Sequence, residues 1–283
     1  AFDAFALATA IGLRTERARL RIGPLAIGVR SPPAIALGVA SVATLTGRPV
    51  DVALGASSPA IVAGWHDRPW SALAPRMQET VSALRALLDG ARAEIDGEHV
   101  RVHGFRLRRA QPGASIGVAA FGPAMTRVAA RHADEVVLNL VTPEQVAAVR
   151  GRIDAHAAAA GRSRAPRLAV WVPAALDPGE RTRAQLAGQL AVYLGAPGYG
   201  EMFAELGHAT LVARVRGGGL RRAEIVAAIP IELAAQVGAI GTAAEVAARL
   251  DAYRDAGADH VAVVPSTAED PAGGGVLAVV TRS

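Results

Sequence analysis

The chain contains no cysteine. That excludes a disulfide framework, a thiolate metal site and a thiol nucleophile. Lysine is absent too, since all 30 basic residues are arginine, and a Schiff-base mechanism is excluded with it. Aromatic residues make up only 4%, too few for the stacking platforms that hold single-stranded nucleic acid. The arginines are scattered among 25 acidic residues without a basic run, so nucleic acid is not an expected partner. Long clean apolar runs are also missing. The longest, residues 223–241, contains Glu224, Pro230 and Glu232, and no membrane span is expected. The opening AFDAFALATAIGLRTERARL reads as an amphipathic helix rather than a secretory signal, which points to a cytoplasmic protein. The seven histidines have no metal-ligand spacing, so no metal is expected. Neither a G-x-G-x-x-G turn after the first strand nor a Walker loop is present.

What remains is a chain of 283 residues, 51% apolar and 19% charged, with ample length for one large core. Its net charge of +5 favours an anionic cofactor or substrate. The most informative stretch is residues 115–150, SIGVAAFGPAMTRVAARHADEVVLNLVTPEQVAAVR. Two short apolar runs, each without polar alternation, read as parallel strands buried on both faces. One ends at Gly122-Pro123 and the other at Thr142-Pro143, and proline after a cap residue starts a helix. Each helix therefore begins at the carboxyl end of its strand, the edge at which α/β folds bind ligands.

The same alternation runs through the chain. Strands are expected over 19–28, 50–56, 116–121, 136–141, 167–174 and 260–265. Helices are expected over 2–15, 33–45, 71–89, 123–132, 143–160 and 243–256, with a β excursion over 94–107 and a mostly helical connection over 181–236. Thr142 with Gln145 and Thr242 with Glu245 have capping-box spacing. Six strands alternating with helices imply a parallel sheet with right-handed crossovers.

Several stretches carry a family resemblance in order and spacing. They are DAFALATAIGLRTERARLRIGPLAIGVRSPPAIALGVASVATLTGRPVDVALGAS, DGEHVRVHGFRL, VAAFGPAMTRVAARHADEVVLNLVTPEQV, YLGAPGYGEMFAELG and AIGTAAEVAARLDAYRDAGADHVAVVP. With them the chain resembles the luciferase-like monooxygenase superfamily, specifically its coenzyme F420-dependent oxidoreductases of actinobacterial type. The resemblance implies an α/β fold, a (β/α)8 TIM barrel forming one domain over 1–283. About six of the eight strands are present, and 181–236 is the helical insertion before the last strand. By family order the first two strands are absent, which fits a chain that opens at Ala1 inside a helix. The implied activity is hydride transfer between coenzyme F420 and a small organic substrate. An FMN-dependent monooxygenase and a non-catalytic or incomplete barrel are the alternatives. A homodimer is a candidate assembly, because an open barrel exposes strand edges that proteins normally cover.

The resemblance also points to site residues. Relatives carry a bulge with a cis peptide in the third-strand equivalent, where this chain has Gly23 and Pro24. A cis bond is far less costly before proline than before other residues, so a cis Gly23–Pro24 bond is expected, against a trans bond at a strand kink. Gly55, Ala56, Ser57 and Ser58 end the fourth-strand equivalent; small residues there admit a planar ring and supply hydroxyls, or form a plain Gly/Ser turn. Relatives of the sugar-phosphate dehydrogenase type carry an acid and an amide where this chain has Ser58 and Ile61, which argues against the same substrate. Ala120, Phe121, Gly122, Pro123 and Ala124 match the segment whose amides hold the cofactor phosphate, and glycine before a helix N-terminus suits an anion. Asn139, polar in an apolar strand, is assigned to substrate or to neighbouring backbone. Trp65, His66 and Trp70 lie in the loop that would roof the active face, with Trp65 toward substrate. His66 is the candidate acid–base residue. Arg30 is positioned to meet an anionic group. Tyr199 and Phe203 either close the pocket or belong to the core.

Overall fold

The computed structural model describes residues 2–281. They divide into two compact units, one formed by residues up to Val137 with Arg152–Arg167, the other by Leu138–Gly151 and the residues from Leu168 onward.

The first unit begins with α1 (Ala4–Gly12), β1 (Leu20–Ala26), α2 (Pro32–Thr46) and β2 (Val50–Gly55). It continues with α3 (Leu73–Leu88), the antiparallel hairpin β3 (Glu94–Asp96) and β4 (Arg101–His103), β5 (Ile116–Ala119) and α4 (Pro123–His132). Local chemistry sets the helix ends. The Asp3 carboxylate accepts the Phe5 and Ala6 amides ahead of α1. Ser31 caps α2 with proline in its first turn, and Gly47, at φ 66°, ends it in the left-handed region where glycine is at ease. β6 (Glu135–Asn139) and α5 (Pro143–Ala159) each contribute residues to both units.

In the first unit β1, β2, β5 and β6 pair in parallel, in that order. Their register sorts the side chains into two faces. Leu20, Ile22, Val52, Leu54, Ile116, Val118 and Val136 share one face, and none is more than 6% exposed. α1 packs here: a Cβ on Gly12 would lie 3.0 Å from the Leu20 Cδ1. The opposite face carries Arg21, Asp51, Ala53, Gly55, Gly117, Ala119, Glu135 and Val137. It is charged toward the amino ends of the strands and made of small residues toward their carboxyl ends. Between Ile22 and Leu25 the register slips, so Gly23 and Pro24 together oppose Ala53, and the Gly23–Pro24 bond is cis, as expected.

The second unit contains β7 (Arg167–Leu176), α6 (Glu180–Leu190), α7 (Tyr199–Phe203), α8 (Ala209–Arg216), α9 (Arg222–Ala228) and α10 (Ile231–Gln236). After these come β8 (Ala239–Gly241), α11 (Ala243–Asp255), β9 (His260–Pro265) and α12 (Gly274–Val280). β7 pairs in parallel with both β8 and β9. The Thr242 box at the start of α11 forms as read: its hydroxyl accepts the Glu245 amide at 3.3 Å and the Glu245 carboxylate accepts the Thr242 amide at 2.8 Å.

Parallel strands alternating with helices place the chain in the (β/α)8 class, short of eight strands among the described residues. Three details differ from expectation. A seventh parallel strand, β8, is present; at three residues between two helices it is too short to show periodicity. The loop after β2 holds a π-helical turn, Ala60–Trp65. β6 stops at Asn139 rather than 141, because Leu140 turns to φ 57°, outside the extended region. Among the described residues no helix is long and apolar enough to cross a membrane, and no group of three or more His, Asp or Glu residues could hold a metal.

Candidate functional site

The carboxyl ends of β1, β2 and β5 bring together the segments singled out in the first unit. A Cβ placed on Gly55 would lie 3.1 Å from the Pro24 Cβ and 3.8 Å from the Ala119 Cβ. Pro24, Gly55 and Ala119 therefore form one patch on the small-residue face, and the absent Gly55 side chain keeps it low. Such a patch lets a planar ring approach the backbone. Gly23 is held tightly behind it: at φ 132° its hypothetical Cβ would sit 2.2 Å from the Ala53 carbonyl oxygen, so no side chain is accommodated.

Beyond the patch the chain turns through Ala56, Ser57 and Ser58. Ser57 has φ 60°, a left-handed conformation uncommon for a residue with a Cβ. The Ala56 carbonyl accepts the Trp70 indole N–H at 3.0 Å, and the Ser58 carbonyl accepts the Val62 amide at 2.9 Å. These bonds anchor the loop, while neither serine hydroxyl has a hydrogen-bond partner among the described residues.

β5 leads through Ala120 and Phe121 into α4. Ala120 donates its amide to the Val137 carbonyl at 3.3 Å. Gly122 is the N-cap of α4, Pro123 follows in the first turn, and no side chain caps this end. Gly122, Pro123 and Ala124 are exposed, and nothing lies within 4 Å of the position a Gly122 Cβ would take. An uncapped helix start with open space above it suits an anionic group. The first unit thus supplies both features that a ring and a phosphate require, and its residues fit a flavin-like cofactor.

Other expected residues lie differently. Trp65 is 76% exposed, and His66 is exposed at the end of the π-helical turn, so neither side chain is covered in the first unit. Arg30 already has an anionic partner: its guanidinium bonds Asp3 and stacks 5.1 Å from the centre of the Phe5 ring. That hydrogen bond is the main cause holding the Asp3 carboxyl below its ordinary value.

In the second unit Asn139 donates its amide to the Tyr199 hydroxyl at 3.3 Å. Tyr199 in turn lies 4.6 Å from Tyr193 and 6.3 Å from Phe203, centre to centre. Burial pushes the Tyr199 phenol well above its ordinary value, despite the Asn139 hydrogen bond. Sequence reading named Asn139, Tyr199 and Phe203 without joining them, and it missed Tyr193.

Sequence reading also missed an ionic network at the amino ends of the first unit's strands. Arg19 bonds Asp51 through two nitrogens at 2.5 and 2.7 Å, and Arg21 reaches Glu135 at 2.5 Å and Asp51 at 4.0 Å. Arg167 approaches Glu135 at 3.8 Å. The available signal was a charged residue opening each otherwise apolar run, as in RLRIG, VDVALG and DEVVLN.

Comparison with known proteins agrees with this architecture. The chain is 28% identical over 167 residues to a 5,10-methylenetetrahydromethanopterin reductase of Archaeoglobus fulgidus, covering 57% of this chain and 48% of that protein. It thus spans about half the length of that curated relative. Two solved structures share the fold. An F420-dependent secondary alcohol dehydrogenase in complex with an F420-acetone adduct is 15% identical, with a TM-score of 0.77 over 96% of this chain and 81% of that one. A riboflavin lyase with modified FMN and riboflavin is 17% identical, with a TM-score of 0.70 over 99% and 74%. The family profile for luciferase-like monooxygenases matches residues 1–260, most of the chain, and the chain belongs to that family.

Proposed function

We propose that this chain is an oxidoreductase that binds coenzyme F420 in its first unit and exchanges hydride between that cofactor and a small organic substrate. The observation that carries the proposal is the low patch of Pro24, Gly55 and Ala119 beside the uncapped start of α4. The fold neighbour in complex with an F420-acetone adduct supports the choice of cofactor. The FMN-bound neighbour keeps FMN as the second reading.

In this reading the deazaflavin ring supplies the hydride chemistry, and the protein supplies position and electrostatics. Gly55 lets the ring lie against the backbone of β2. The Ser57 and Ser58 hydroxyls would be the donors available to its polar groups. The first-turn amides of α4, less the one that Pro123 lacks, hold the phosphate. His66 is the side chain of the β2 loop able to carry a proton near neutral pH.

Titration of the purified chain with F420, and separately with FMN, followed by cofactor fluorescence, tests the proposal. Saturable binding of F420 without FMN is the expected result. A preference for FMN moves the assignment to a flavin enzyme, and binding of neither overturns both.

A further inference from the structure

Three residues with a Cβ take a left-handed conformation within one stretch of the first unit: Ser57 at φ 60°, Asp67 at φ 49° and Ala72 at φ 49°. They are half of the six such residues among the described ones, so this backbone strain is concentrated rather than scattered. It persists only where surrounding contacts impose it. The stretch is the excursion from the end of β2 to the start of α3, and Ser57 stands where the chain leaves the small-residue patch.

Nothing local to Ser57 favours this conformation. An asparagine or aspartate could bond its own neighbouring backbone there, but the Ser57 hydroxyl has no partner among the described residues. The turn is instead pinned on both sides. After Ser57, the Ser58 carbonyl accepts the Ile61 and Val62 amides at 3.2 and 2.9 Å. Val62 is buried against the segment after β1, where a Cβ on Gly28 would lie 2.7 Å from its Cγ1. Before Ser57, the Ala56 carbonyl accepts the Trp70 indole N–H at 3.0 Å. The first pin is local backbone. The second reaches across 14 residues and is the one side-chain hydrogen bond to residues 56–58 among the described residues. Trp65 of the same excursion is 76% exposed, whereas Trp70 is half-buried, and its single donor is committed to this bond.

We propose that Trp70 is a positioning residue: by holding the Ala56 carbonyl it keeps Ser57 left-handed, and so keeps the turn and its two serine hydroxyls beside the patch of Pro24, Gly55 and Ala119. The proposal rests on the cofactor reading above and adds the side chain that shapes that site. Trp70 acts through the turn rather than on the ring. Without its N–H, Ser57 relaxes toward the ordinary backbone regions and the turn leaves the patch in part of the population. The apparent affinity for the ring then falls with the fraction of chains still competent to bind it.

Trp70→Phe keeps an aromatic ring and removes the donor. Replacement of Trp70 by benzothienylalanine, in which sulfur stands in place of the indole N–H, removes it with the shape preserved and carries the test if Trp70→Phe fails to fold. Each change is made with serine and with glycine at position 57, because glycine takes a left-handed φ at no steric cost. With serine, F420 affinity read by cofactor fluorescence is expected to fall about two- to ten-fold, the scale of one neutral hydrogen bond. The absorption band of F420 at saturation should move toward that of the free cofactor. In the cofactor-free chain the Ile61 and Val62 amides should exchange faster. In the Ser57→Gly background the same loss of the donor should cost less, so the two changes are not additive. Unchanged affinity and band position on loss of the donor, or an equal penalty in both backgrounds, overturns the proposal, while F420 binding by wild type leaves the functional reading standing. If wild type binds neither F420 nor FMN, the functional reading falls and amide exchange decides the clamp. Faster exchange that Ser57→Gly suppresses supports it, and unchanged exchange overturns it.

Discussion

Asp51 and Glu135 are carboxylates on the same sheet face, only 2% and 1% exposed, yet they shift in opposite directions. For Asp51, burial pushes the carboxyl up, but the two Arg19 hydrogen bonds, the Ser115 amide at 2.8 Å and the Arg19 and Arg21 charges together hold it below its ordinary value. For Glu135, burial is the largest cause and prevails over Arg21 and Arg167, leaving it above its ordinary value. One of its oxygens, Oε1, is buried without a hydrogen bond, which is why its charge is less well compensated. The linkage signs follow. The depressed Asp51 contributes stability above the ordinary carboxylate value near pH ~4, lost as pH falls through its own lower value. The raised Glu135 binds its proton more tightly when folded. Its charge therefore costs stability above its raised value, and the cost is relieved as pH falls from there toward the ordinary one. Denaturation followed against pH should show both limbs, Glu135→Gln flattening the upper and Asp51→Asn the lower. An unchanged upper limb in Glu135→Gln contradicts this account. Asp51→Ala, which strands the Ser115 amide and two arginines, is expected to cost about 3 kcal/mol at neutral pH. Gly55→Leu acts differently: even its Cβ would lie 3.1 Å from the Pro24 Cβ, so cofactor binding should be lost and the melting temperature should fall as well. Retained cofactor affinity in that variant places the ring elsewhere.

At the scale of elements, the best-read helices are those with chemical start signals. Pro123 and Pro143 mark the starts of α4 and α5, and the Thr242 box marks α11. The boundaries that moved did so for local reasons no pattern records. Asn139 ends β6 because the next residue enters the left-handed region, and β8 forms only because β7 offers it a partner through Ala174–Leu176. α11 is fixed at its other end by Tyr253, which is fully buried and donates its hydroxyl to the Val141 carbonyl at 2.6 Å. Burial pushes its phenol up to about 12, so it remains a donor throughout the neutral range. Tyr253→Phe leaves that buried carbonyl without this donor and should destabilise the protein by about 1–2 kcal/mol, measured by urea denaturation. A loss within error would mean that the Val141 carbonyl finds another donor.

For the whole molecule, composition and periodicity sufficed for the class. Absent cysteine and lysine, scarce aromatics and repeated strand–helix units left a parallel α/β protein, and the ordered motifs pointed to the luciferase-like family that the profile match establishes. The segments expected at the cofactor were also legible, since glycine, serine and proline at strand ends carry backbone meaning by themselves. How they meet was not. Pro24, Gly55 and Ala119 are far apart along the chain and become one patch only through strand register and the slip after Ile22. The Arg19–Asp51 and Arg21–Glu135 pairs, the engagement of Arg30 by Asp3 and the union of Asn139 with Tyr199 likewise join distant residues. The sequence by itself determined which segments become strands and helices and where their ends expose backbone, because propensity, capping and apolar periodicity act over a few residues. Only the tertiary structure decided which side chains share a face and which charges are already spoken for, because register and burial are properties of chain segments brought together from far apart.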